Sequence, residues 1–151
     1  MKLMAIVCAF PLIAAAPPGF VYWSSAELKG MAHTLAAKAD GAKFASEPLG
    51  KFGNHLTMIA RRGANGQAEL HETDADLFVV QTGSATLVVG GKIPNAKTSA
   101  PHEVRGTSIE GGTKRTLGPG DIVHIPARTP HQLQVQDGKE FTYFVLKVSG
   151  Q

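Results

Sequence analysis

The sequence predicts an all-β barrel preceded by one short helix, and three observations carry that expectation. Of 151 residues, 17 are Gly and 9 are Pro, a composition that suits short strands joined by turns. Residues 77–81, Ala85–Val89, 121–125 and 141–148 have the β-branched and aromatic content of sheet strands, the last placed to close the barrel. The third observation is a chemically loaded stretch, residues 63–83, answered by residues 120–131. In the first, Gly63 is followed by five residues, Glu69, one residue, His71, four residues, Asp76, six residues and Gly83. In the second, Gly120 is followed by five residues and Pro126, and His131 closes the run five positions beyond it.

A strand alternates its side chains, so Glu69 and His71 share one face. A short turn over residues 72–75 returns the chain, and Asp76 opens the next strand. His131 follows a Pro-containing turn, from which a second hairpin would bring it to the same place. Two imidazoles and two carboxylates converging inside a barrel make a site for a first-row metal ion. Burying two carboxylates without a cation is costly, which argues the same way.

With this spacing the chain resembles the cupin superfamily. That family's first motif is a glycine, five residues, His-x-His, three or four residues, Glu, six residues and a glycine. Its second is a glycine, five residues, Pro-x-Gly, two residues, His, three residues and Asn. Every gap fits, while the identities depart: Glu69 stands for the first His, Asp76 for the Glu, Arg128 for the glycine after Pro126, and Val135 for the Asn. Only His71 and His131 of the family's ligands are unchanged. The two motifs cover residues 63–135, roughly half the chain.

The resemblance implies a cupin-type double-stranded β-helix, a jelly-roll barrel, over residues 55–151. It implies a divalent metal ion held by Glu69, His71, Asp76 and His131. Mn(II) or Fe(II) suit this donor set best, with Zn(II) and Ni(II) as the other candidates. Two carboxylates would neutralise such an ion and make it a weaker Lewis acid than one on three His and one Glu. That favours redox or isomerase chemistry over hydroxide-driven hydrolysis. The family's enzymes imply dioxygenase, isomerase or lyase chemistry on a small molecule. The alternative is a non-catalytic module that binds a small ligand or metal. Tyr143, Arg61, Glu110 and Arg105 are candidate acids, bases or binding groups by residue type alone. Cupins also form homodimers through outer strands, so a second copy is an expected partner.

At the N-terminus, Lys2 is followed by no charged residue until Glu27, and residues 3–16 are almost wholly apolar. A short basic start, an apolar run and small residues fit a secretory signal over residues 1–26, cut after Ala16 or Ala26. The competing reading is an uncleaved anchor, which Pro11, Pro17 and Pro18 make a poor membrane helix. The only Cys, Cys8, lies inside this segment, so a cleaved chain would carry no thiol. The expected location is periplasmic or secreted, with no stable membrane association after cleavage. The formal charge of +3 is spread without a basic run and leaves no footprint for nucleic acid.

Residues 27–54 are expected to hold a helix and a connecting segment. Ser24 with Glu27 forms a capping box, and Leu28, Met31, Leu35 and Ala39 recur at helical spacing before Gly41 stops the helix. His33 lies off that stripe, in solvent. Residues 40–54, with Gly41, Pro48, Gly50 and Gly53, read as the connection. His55–Arg62 then alternates into two sets, His55, Thr57, Ile59, Arg61 and Leu56, Met58, Ala60, Arg62, either of which could line the barrel. His55 reads as an edge or surface residue, and His124 as a core histidine or one supporting a ligand carboxylate. Thr82-Gly83-Ser84 reads as a tight turn, with Gly90-Gly91 ending a hairpin. Thirty-six residues separate Gly83 from Gly120, longer than the family usually has. Residues 91–116 are therefore either a surface excursion with one extra hairpin or a lid over the barrel mouth.

Overall fold

The computed structural model describes residues 16–39 and 43–151. Most of the expected export signal, Cys8 included, lies outside the described residues. The first element is the helix α1, Ser25–Lys38, with both hydrogen bonds of the capping box formed. The Ser24 side chain accepts from the Glu27 N–H, and the Glu27 carboxylate accepts from the Ser24 N–H. Such a cap contributes about 1 kcal/mol. One stripe of α1 is buried: Leu35 is fully covered and packs with Ala45 and Ile59, flanked by Leu28 and Met31. His33 is exposed, as expected. Among the described residues, no helix is long and apolar enough to cross a membrane.

Among the described residues eleven strands follow: β1 Phe44–Phe52, β2 His55–Arg62, β3 Ala68–His71, β4 Asp74–Gly83, β5 Ala85–Val89, β6 Lys97–Ala100, β7 Glu103–Gly106, β8 Thr113–Leu117, β9 Ile122–Ile125, β10 His131–Gln134 and β11 Phe141–Ser149. They form two sheets, one in the order β1-β2-β11-β4-β9 and the other β6-β7-β3-β10-β5-β8. The inner faces meet around Phe78, Leu87, Leu133, Phe141 and Tyr143, the core of one half of the barrel. Burial of this apolar surface is the main force holding the sheets together.

Three expectations change here. Residues 44–52, read as part of a connection, form β1, an edge strand in antiparallel register with β2. Pro48 and Gly50 are tolerated because the ladder slips between them at a bulge and the outer side of an edge strand needs no partner. The hairpins expected around residues 72–75, 82–84 and 126–131 are instead crossings between sheets. β3 and β4 lie in different sheets, as do β4 and β5, and β9 and β10. The turns at 72–75 and 82–84 thus pass the chain from one sheet to the other. Gly83 at that crossing has φ +77°, and a Cβ there would come within 1.8 Å of the Glu140 carbonyl oxygen. Finally, His124 is neither in the core nor beside a ligand; it is exposed on the edge strand β9.

Of the two β2 sets, Met58, Ala60 and Arg62 line the barrel cavity, while Ile59 is covered by α1. His55 is half-buried and stacks on Phe52. Residues 91–116 hold an extra hairpin, β6–β7, whose inner strand pairs with β3, and most of β8, which pairs with β5. Arg128, where the family pattern has glycine, takes that glycine's left-handed backbone at φ +63°. For a non-glycine residue this costs about 1–2 kcal/mol. Its N–H donates to the His71 carbonyl at 2.7 Å, which ties the two motifs together. Val135, in place of the Asn, is buried, and its N–H donates to Asn65 Oδ1 at 2.8 Å.

Candidate metal centre

Strand register builds the site. On one sheet Arg105, Glu69 and His131 occupy a single cross-strand row over β7, β3 and β10. His71, two residues along from Glu69, sits on the same face and opposite Glu103. On the other sheet, Lys147 of β11 lies opposite Asp76 of β4. Facing sheets then bring Asp76 against both histidines.

All four sequence-expected donors are brought together. Glu69, His71 and His131 each offer a ligand atom within 4.8 Å of the others. Asp76 Oδ2 lies 3.3 Å from His71 Nε2 and 3.4 Å from His131 Nε2, and Glu69 Oε2 is 3.6 Å from His71 Nε2. His71, Asp76 and His131 are buried. The imidazole rings are 5.3 Å apart, inclined by 51°. His131 Nδ1 is 3.0 Å from the Thr129 carbonyl oxygen, which can only accept. Nδ1 therefore carries a proton, so Nε2 is the nitrogen left to give its lone pair to an ion when the ring is neutral.

Each carboxylate is divided in use. Lys147 Nζ holds Asp76 Oδ1 at 2.6 Å, and Oδ2 faces the histidines. Glu69 Oε1 accepts from Arg62 at 3.4 Å and Arg105 at 3.2 Å, and Oε2 faces His71. Outer oxygens held by cations and inner oxygens turned to two imidazoles fit a divalent ion, with supporting groups that fix the donors. Glu69, His71 and His131 thus form a buried group that could hold a metal.

The charges of the cluster are mutually dependent. Burial raises the Glu69 carboxyl, but its contact with His71 and the charges of Arg105, His131 and Arg62 outweigh this and bring it to about 2. Burial lowers the His71 imidazole, but Asp76 and Glu69 outweigh it and raise the group to about 9. Asp76 is held far below the usual carboxylate range: burial opposes ionisation, and His131, His71 and Lys147 overcome it. Without an ion, a proton on His71 thus serves as the cluster's cation.

Beside the cluster lies a cavity of about 390 Å³. Phe44, Met58, Phe78 and Val145 give it apolar walls, and Tyr143, Arg105, Glu103 and Gln132 give it polar ones. Of the residues named by type, Tyr143 and Arg105 are in place. Arg61 is paired with Glu140 away from the cavity, and the Glu110 backbone bridges to Lys92. Arg62, Glu103 and Lys147 have no signal in the motif. Alternation along β7 puts Glu103 and Arg105 on a common face, yet only the pairing of β7 with β3 brings them here. The extra hairpin is thus part of the cavity wall.

These cations alter the charge expected from the motif. Glu69 and Asp76 do not simply neutralise an ion, because Arg62, Arg105 and Lys147 already offset them. A divalent ion held here would keep more of its Lewis acidity than two bare carboxylates would leave it.

No family model and no curated protein matches the sequence. Solved structures match over most of the chain. BH2720 of Bacillus halodurans aligns with a TM-score of 0.59 and 14% identity, over 89% of this chain and 84% of that one. A sugar phosphate isomerase from a cupin superfamily, from Silicibacter pomeroyi, gives 0.51 and 18%, over 70% and 59%. The DMSP lyase DddQ of Ruegeria pomeroyi gives 0.51 and 21%, over 71% of this chain and 47% of that one. This chain spans about half the length of that lyase.

Proposed function

The chain has the cupin fold, and we propose that its barrel holds one divalent ion on Glu69, His71, Asp76 and His131. With that ion it acts on a small molecule in the manner of a lyase or isomerase. The observation that supports this best is the division of each carboxylate, one oxygen on a cationic side chain and the other turned to the imidazoles. Nitrogen and oxygen donors in equal number favour Mn(II) or Fe(II). A bound ion supplies Lewis acidity to a substrate oxygen.

The chain's own residues do the rest. Lys147, Arg62 and Arg105 hold the carboxylates, and Thr129 fixes the His131 tautomer. Tyr143 lines the cavity, and its oxygen accepts from Arg62 Nε at 3.0 Å. Burial raises its pKa, so the phenol keeps its proton at neutral pH and is the candidate proton donor. The apolar walls exclude water from the reacting groups. The reading includes export, on the strength of the apolar start and the lack of any Cys after Cys8.

Elemental analysis of native protein, purified without a metal-affinity tag, tests the reading. The expected result is about one divalent ion per chain, lost in a folded His71→Ala/His131→Ala double variant. A folded parent that takes up none of Mn(II), Fe(II), Zn(II) or Ni(II) would overturn it.

A further inference from the structure

We propose that the ion-loaded cavity takes a small carboxylate, seated between the metal centre and the guanidinium groups of Arg62 and Arg105. This deepens the metal-centre reading and rests on it. The first ground is charge. Arg62, Arg105 and Lys147 line the cavity, as do Glu69, Asp76 and Glu103, so the two signs balance with neutral histidines. A divalent ion adds two positive charges that no lining side chain offsets. Against the walls of Phe44, Met58, Phe78 and Val145 such an excess is poorly screened, and an anionic guest of one or two charges relieves it.

The second ground is the placement of the guanidiniums. Arg62 is fixed on several sides. Its Cζ lies 4.3 Å over the Phe44 ring, its Nε donates to Tyr143, and one terminal nitrogen donates to Glu69. Gly66 leaves room for it, since a Cβ there would stand 2.8 Å from Nη1 and 3.0 Å from Cζ. Arg105 donates through Nε to Glu103 and through Nη1 to the same Glu69 oxygen that Arg62 reaches. Both guanidiniums therefore converge on one Glu69 oxygen while lining the cavity. Among the described residues, Nη1 of Arg62 and Nη2 of Arg105 make no hydrogen bond to the protein, so their donors are available to a guest. A planar guanidinium matches a carboxylate in two parallel hydrogen bonds, which sets this guest apart from a neutral one.

The test uses Mn(II)-loaded protein, with oxalate and its uncharged isostere oxamide as probes and water-proton relaxation as the readout. Mn(II) affinity is measured on every variant. Arg105→Gln is expected to weaken oxalate about tenfold or more and to leave oxamide unchanged. Gly66→Ala alters no charge but displaces the Arg62 guanidinium, and should weaken oxalate in the same direction. It also carries the test if Arg105→Gln does not fold. No uptake of Mn(II) by the parent overturns the metal centre and this inference together. Mn(II) uptake with oxalate binding indifferent to both substitutions overturns the carboxylate seat alone.

Discussion

Lys147 stands directly opposite Asp76 in the β4–β11 ladder, and its Nζ lies 2.6 Å from Asp76 Oδ1. The other oxygen of that carboxylate faces His71 and His131. Lys147 therefore leaves Asp76 one oxygen for an ion and stabilises the carboxylate when no ion is bound. Lys147→Met should destabilise the metal-free protein by about 3 kcal/mol, the low end for breaking a buried pair because Lys147 is partly exposed. Added Mn(II) should then raise the variant's Tm by more than it raises the parent's. Equal shifts in thermal melts of the two would show that Lys147 does not bear on the centre.

Glu69 is the position where the motif departs most from its family, and its Oε2 is turned to His71. Glu69→Ala should weaken Mn(II) by at least the roughly 10–100-fold typical of losing a supporting group, since a donor itself is removed. Glu69→His should keep an ion and move selectivity towards Zn(II), Ni(II) or Cu(II). Competitive metal titration checks both, and parental affinity in Glu69→Ala would remove Glu69 from the donor set.

His71, raised to about 9, carries a proton at neutral pH in the metal-free protein and must lose it to bind an ion. Calorimetry in buffers of different ionisation enthalpy should find about one proton released per ion at pH 7, with affinity rising towards pH 9.

The metal-free protein should also have a defined pH window of stability. The raised His71 contributes fully below its ordinary value of 6.5 and loses that contribution as pH rises through about 9. The lowered Glu69 contributes above its ordinary 4.5 and loses its contribution as pH falls towards about 2. Melting temperatures in chelator should therefore be highest between 4.5 and 6.5 and lower at pH 9. A maximum at or above pH 9 would contradict the assignment.

Under the proposed export, packing predicts where the chain would be cut. Trp23 lies 6.4 Å from the Phe52 ring and 6.3 Å from Phe144, and Ser24 caps α1. Cleavage after Ala26 would discard both contacts, whereas cleavage after Ala16 keeps them. Mass spectrometry of native protein should find a chain beginning after Ala16. Ser24→Ala should cost it about 1 kcal/mol in denaturant unfolding.

Sequence by itself determined the local facts. The capping box and apolar stripe placed α1 to within a residue at each end, alternation placed β2, and β-branched runs placed β4, β5, β9 and β11. Motif spacing picked out Glu69, His71, Asp76 and His131, because alternation along a strand and fixed gaps between glycines are properties of short stretches. Tertiary structure decided which strands meet. β3 and β4 read equally well as a hairpin or as a crossing between sheets, since a short turn serves both and only the global burial of apolar faces chooses. The same holds for charge. Lys147 is 71 positions from Asp76, and Arg105 is 36 from Glu69. No local pattern marks a cation so distant as the counterion of a motif carboxylate, because ladder pairing sets these neighbours and pairing is a property of the whole sheet.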